Sequence, residues 1–166
     1  NSVAAWGPEQ PVQWYDKRRL VPFGEFFPVP QAVREWLRLM NLPYSDFQPG
    51  RADPAPLQAA GETFAPTVCY EDAYGSEQLG LVRQSSLLVN VTNDAWFGDS
   101  TAPHQHLDIS RMRALESGRA MLRATNDGVT ALIGHDGSLL GTLPQFQPGV
   151  LTGEVQPRTG LTPYVR

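Results

Sequence analysis

Apolar and polar positions along the chain change period several times, and each change marks an element. Residues 1–15 are mixed and weakly strand-like. Residues 21–30 pack Phe23, Phe26 and Phe27 among Pro22, Pro28 and Pro30, so this reads as an extended apolar loop and not a central strand, because proline removes backbone donors. Val33, Trp36, Leu37 and Met40 then fall at i, i+3, i+4, i+7 and predict an amphipathic helix over 31–40, stopped by Pro43. Prolines, glycines and small residues over 44–62 predict a long surface excursion. Two apolar runs, 63–70 and 87–92, read as strands with a helix around 76–84 between them. Runs without clean alternation suggest parallel strands in an α/β sheet. A polar loop over 93–106 leads to the longest helical pattern, 107–124, with Met112, Leu115 and Leu122 on one face. Residues 129–133 and 138–142 predict a hairpin across His135-Asp136-Gly137, where Asp-Gly suits a tight turn. Val150 to Val155 reads as a last strand.

Composition narrows the function classes. The 166 residues are one domain's worth. Thirteen Lys and Arg against 17 Asp and Glu leave a formal charge of −4, which lacks the basic footprint that nucleic acid requires. With 41% apolar residues the chain can bury a core, and 15 Gly plus 15 Pro imply many turns and long loops. No apolar stretch approaches the ~20 residues of a spanning helix. The start, Asn1-Ser2-Val3, resembles neither an initiator nor a signal peptide, so a processed product or a piece of a longer protein is expected. A single cysteine, Cys69, excludes an internal disulfide and zinc sites built on cysteine pairs.

Cys69 stands at a predicted strand end, where following backbone amides can point at a developing oxyanion. A thiol needs a nearby cation or base to act as a nucleophile. His104, His106 and His135 offer a Cys–His pair, whereas Lys17 offers a Cys–Lys site. The lysine is favoured, because the histidines have bland explanations in loops and turns while Lys17 precedes an apolar loop holding Glu25. Asp94, Asp99, His104, His106 and Asp108 make a weak metal alternative, lacking any helical His pair. Arg119 and Arg123, near Glu116, read as an ion-paired helix face before they read as an anion site.

These residues resemble a known family. The segment Tyr15-Asp16-Lys17-Arg18-Arg19-Leu20-Val21-Pro22-Phe23-Gly24-Glu25-Phe26 is similar to the lysine-bearing segment of apolipoprotein N-acyltransferases, a membrane branch of the nitrilase superfamily. Cys69-Tyr70-Glu71 resembles the nucleophile motif. Asn93-Asp94-Ala95-Trp96-Phe97-Gly98, Arg111 to Glu116, Arg123 to Gly128 and Thr159 to Tyr164 follow in the family's order.

The resemblance implies a nitrilase-type αββα sandwich, of which residues 1–166 form the C-terminal portion, and a Glu–Lys–Cys triad. It makes Cys69 the nucleophile, Lys17 the stabiliser of thiolate and oxyanion with the Tyr70 amide, and Glu25 the second glutamate. It assigns Tyr70, Glu71, Phe23 and Trp96 to the substrate site. The triad's general-base glutamate lies upstream in this family and Glu9 does not match its motif, so no residue is assigned to it. The resemblance further implies acyl transfer from a phospholipid, through a cysteine thioester, to the α-amine of a bacterial apolipoprotein. It implies no cofactor and no metal, missing membrane helices, and an inner-membrane location with the catalytic domain on the periplasmic side. A soluble amidohydrolase and a non-catalytic fragment that associates with a partner chain are the alternatives.

Overall fold

Apolar runs place three strands side by side and parallel, and the crossover helices cover one face of them. In the structure, a computed structural model, residues 1–8, 10–40 and 47–166 are described, apart from the side chains of Leu37 and Arg38. Glu9, Pro43 and the start of the expected excursion at Tyr44 lie outside the described residues. Among those described, strands β1 (Ser2–Gly7) and β2 (Gln10–Asp16) form an antiparallel hairpin that ends at Lys17. Helix α1 (Gln31–Leu39) follows the proline-rich loop. Strands β3 (Leu57–Ala59), β4 (Glu62–Val68), β5 (Leu87–Asn93), β6 (Met121–Asn126), β7 (Ala131–Ile133) and β8 (Leu139–Thr142) form a six-stranded sheet in sequence order. Within it β4, β5 and β6 are parallel and the outer pairs antiparallel. Helices α2 (Gly75–Val82) and α3 (Ala102–Ser117) make the crossovers.

The core lies between these helices and the sheet, where Ala65, Leu81, Val82, Leu88, Leu107, Ala114 and Met121 are buried. Val165 of the closing segment joins them, and Arg83 donates to its carbonyl at 2.8 Å. No helix among the described residues is long and apolar enough to cross a membrane.

Several expectations need correction. The excursion over 44–62 contains β3, which pairs with β4. The helix expected over 107–124 is displaced: α3 starts five residues earlier, and Met121, Leu122 and Arg123 belong to β6. Pro103 in the first turn and Gly118 at the C-cap (φ +64) carry the true boundaries, since proline suits a helix start and glycine the left-handed residue after a helix end. The buried face of α3 is Pro103, His106, Leu107, Ser110, Ala114 and Ser117, while Met112 and Leu115 are exposed. No strand forms over 150–155. The apolar positions of α1 also face outward, with Val33, Trp36 and Met40 exposed.

Candidate active site

Parallel strands present their carboxyl ends on one rim of the sheet, and the side chains that can do chemistry gather there. Cys69 immediately follows β4 and opens a 3-10 turn, Cys69–Ala73. Its φ is +56, a left-handed conformation that costs a non-glycine residue on the order of 1–2 kcal/mol. The thiol is half-buried. Strain at a strand-to-helix turn turns this side chain away from the regular path of the strand.

Glu71, two residues on and 1% exposed, ties this turn to the lysine segment. Its Oε2 accepts from the Val68 N–H at 2.7 Å and from the Tyr15 hydroxyl at 3.0 Å. Its Oε1 accepts from the Arg18 and Arg19 N–H groups at 2.7 and 3.0 Å. Burial, reinforced by the neighbouring Glu71 carboxylate, raises the Tyr15 hydroxyl far above its ordinary value, so it remains a donor. One carboxylate thus holds both the strand end before Cys69 and the residues after Lys17.

Lys17 is 2% exposed and its ammonium donates to Glu25 Oε1 at 2.8 Å. Glu25 is held in turn by the Asn1 amide at 2.6 Å and the Val21 N–H at 2.8 Å. A buried ammonium needs such a partner, because its desolvation is otherwise uncompensated. Glu25 is therefore not the solvent-facing loop residue that its surroundings in sequence allow. The Lys17 ammonium also lies 5.3 Å from the centre of the ring of Tyr70, the residue after Cys69. Tyr70 donates to the Leu20 carbonyl at 2.9 Å, and burial followed by the influence of Tyr74 pushes its hydroxyl up to about 12. Cys69, Tyr70, Glu71, Lys17 and Glu25 are thereby brought into one connected assembly.

Phe23 and Trp96 are both highly exposed, at 67% and 85%. The loop carrying Phe23 is a tight turn, in which the Glu25 N–H donates to the Val21 carbonyl at 2.8 Å and Phe23 packs edge-on against Phe27 at 5.9 Å. Phe26 and Phe27 are half-buried and outside the core cluster. The positive φ of this loop falls on Phe23 itself and not on Gly24.

Behind Cys69 lies a second, buried polar cluster, in which Asp94 and His106 of the metal alternative and Arg123 of the anion alternative bond to one another and to Asp72. His106 meets Asp94 Oδ1 through Nδ1 at 2.9 Å and Asp72 Oδ1 through Nε2 at 3.1 Å. Both ring nitrogens are thus occupied, while His104 and His135 are exposed. Arg123 donates to Asp94 Oδ2 at 3.0 Å and to Asn90 Oδ1 at 2.6 Å. Neither Arg119 nor Arg123 is on a helix: Arg119 donates to the carbonyls of Ser85, Ser117 and Gly160. Among the described residues no group of metal-ligating side chains is open to an ion. Asp94 takes its place because Gly128 leaves room, a Cβ there falling 2.4 Å from Asp94 Oδ2. The available signal was the Pro103 helix start, which would have put His106 on a buried helix face.

A cysteine at the rim of a parallel sheet, with a buried lysine–glutamate pair tied to the same turn, defines an α/β protein whose sheet rim presents a thiol beside a buried ion pair. Residues 1–164 match the carbon-nitrogen hydrolase family, and the chain belongs to that family. The chain is 51% identical over 152 residues to the apolipoprotein N-acyltransferase of Azotobacter vinelandii, covering 92% of this chain and 30% of that protein. It is 50% identical over 171 residues to the same-named protein of Ralstonia nicotianae, covering all of this chain and 32% of that one. The chain spans about a third of the length of these curated relatives. Among solved structures it resembles an amidase from Nesterenkonia sp., with TM-score 0.59 and 22% identity over 89% of this chain and 57% of that chain. It also resembles a carbon-nitrogen hydrolase from Helicobacter pylori G27, with TM-score 0.62 and 14% identity over 86% of this chain and 52% of that chain. These two likenesses support the nitrilase-type fold, of which this chain forms part.

Proposed function

We propose that this chain is the C-terminal portion of the catalytic domain of an apolipoprotein N-acyltransferase and carries its nucleophile and lysine. In this reading the Cys69 thiolate attacks an ester carbonyl of a phospholipid. Lys17 and the Tyr70 amide stabilise the oxyanion, and the lysophospholipid alcohol leaves with the proton that the Cys69 thiol gave up. The α-amine of an apolipoprotein's lipid-modified N-terminal cysteine then attacks the thioester, forming an amide, and the thiol is restored. A thioester suits both halves: it is stable enough to wait and yields readily to an amine. Glu25 holds the Lys17 ammonium, Glu71 fixes the turn, and Tyr70, Phe23 and Trp96 line the approach. The exposed rings of Phe23 and Trp96 suit a lipid donor better than a small polar amide. The same reading puts the whole protein in the inner membrane of a bacterium, with this domain on the periplasmic side.

The observation that carries the proposal is Cys69, strained at the strand end and linked through Glu71 to the Lys17–Glu25 segment, in a chain half identical to proteins of that name. The test is mass spectrometry of the full-length protein incubated with phospholipid. An acyl adduct on the Cys69 peptide, discharged by an N-terminal diacylglyceryl-cysteine peptide with amide formation, is the expected result. Discharge to water alone would make it a hydrolase and not an acyltransferase.

A further inference from the structure

The polar cluster under the nucleophile has no part in the acyl-transfer steps above, yet it touches the turn that holds Cys69 from behind. Asp72, three residues after Cys69, is fully buried and reaches His106 at 3.1 Å, while its other oxygen accepts from the Ser110 hydroxyl at 2.5 Å. Arg123 lies between the two acids, 3.0 Å from Asp94 and 3.7 Å from Asp72. Its Nη1 donates to Asn90, whose amide donates onward to the Cys69 carbonyl at 3.1 Å and the Thr67 hydroxyl at 3.0 Å. The cluster therefore grips Cys69 twice, by its own carbonyl and through Asp72.

We propose that the buried cluster of Asp72, Asp94, His106 and Arg123, acting through Asn90, is a positioning device that holds Cys69 in its left-handed conformation, with His106 as the doubly protonated ring that completes it. Each ring nitrogen of His106 faces a carboxylate oxygen, and only an imidazolium donates to both. Two carboxylates against one imidazolium and one guanidinium make the cluster electrically balanced. Loss of the His106 proton would leave a net negative charge buried beneath the thiolate and remove one of the two donors. The groups facing His106 are Asp72 from the nucleophile turn, Asp94 from the end of β5, Arg123 from β6 and Ser110 from its own helix. Burial works against the charged ring, but the hydrogen bonds to Asp72 and Asp94 outweigh it and raise His106 to about 9.

The proposal takes from the proposed function only that Cys69 forms an acyl adduct. The test therefore uses p-nitrophenyl butyrate and the full-length protein, so failure of phospholipid as the donor stays separable from failure of the positioning device. Burst release of nitrophenolate and the mass of the Cys69 peptide are followed from pH 6 to 10. The wild-type burst rate should fall about tenfold or more through a transition near pH 9. H106Q should be at least about tenfold slower at pH 7.5, with KM for the ester within about twofold and no transition near pH 9. D94N, which removes one of the two carboxylates facing the His106 ring, should move the wild-type transition to lower pH. H104Q, on the exposed side of the same helix, should behave as wild type. An H106Q protein that acylates at the wild-type rate, or keeps the transition, overturns the proposal. Should H106Q fail to accumulate, a wild-type profile flat through pH 9 overturns it, and a fall there that D94N moves to lower pH supports it.

Discussion

Glu71 accepts four hydrogen bonds on two oxygens, three from backbone N–H groups and one from the Tyr15 hydroxyl, so this residue two positions after Cys69 has no oxygen to spare for substrate. Glu71→Gln keeps the shape but turns a donor toward N–H groups that need an acceptor. Each buried donor left unmet costs about 1–3 kcal/mol, so a clear drop in melting temperature should accompany loss of Cys69 acylation. Lys17→Met tests charge instead: it keeps the stem, and a loss of acylation rate on the order of 10²-fold is expected. Near-normal turnover would remove the lysine from the chemistry. Cys69 and Lys17 stood out as candidates from their residue types and neighbours, whereas Glu25 stood out only through the family resemblance, its loop setting alone allowing a solvent-facing side chain. Tyr15, Asn90 and Asp72 were not, since a tyrosine in a strand or an acid in a turn acquires meaning only from what folds against it.

Elements were legible where apolar runs were unbroken, as in β4 and β5, and illegible where periodicity continued through a boundary. Met112, Leu115 and Leu122 have helical spacing, yet the helix stops at Ser117 and Leu122 sits in a strand. The stop resides in the left-handed Gly118, whose N–H bonds back to the Leu115 carbonyl at 3.2 Å. Gly118→Ala should cost about 1–2 kcal/mol through that φ, and somewhat more because its Cβ would lie 3.0 Å from Thr162 Cγ2. Thermal melting of the full-length protein measures it, and an unchanged midpoint would show that another feature sets the boundary. The phenylalanine loop behaves in the opposite sense. Phe26 and Phe27 lie outside the core, so Phe26→Ala and Phe27→Ala should impair long-chain phospholipid use while moving the melting temperature little. A large melting shift with unchanged lipid kinetics would refute a gating role.

On the scale of the whole molecule, the pH window of stability follows from the cluster beneath the sheet rim. His106 is raised from its ordinary 6.5 to about 9, so its contribution is complete below 6.5 and disappears as pH rises through about 9. Asp94 is lowered despite its burial, by His106 and then Arg123, so its contribution is complete above its ordinary 3.8 and is lost as acid protonates it. Melting temperature against pH should therefore show a plateau between about 4 and 6.5 and fall on both sides. A midpoint still rising at pH 9 would contradict it. Trp6, Trp14, Trp36 and Leu39 are all exposed, so the chain expressed by itself should elute larger than a monomer, and a clean monomer peak would contradict that.

The Glu71 bridge also says where this protein tolerates change. Arg18 and Glu71 are 53 positions apart, yet one side chain a few bonds long joins the residue after Lys17 to the turn that holds Cys69. Shortening that acid to Asp should therefore shift both segments at once, and Gly50, whose N–H donates to the Lys17 carbonyl at 2.8 Å and where a Cβ would strike the Asp16 carbonyl, should accept no side chain, whereas exposed positions such as Asp53 should accept substitution.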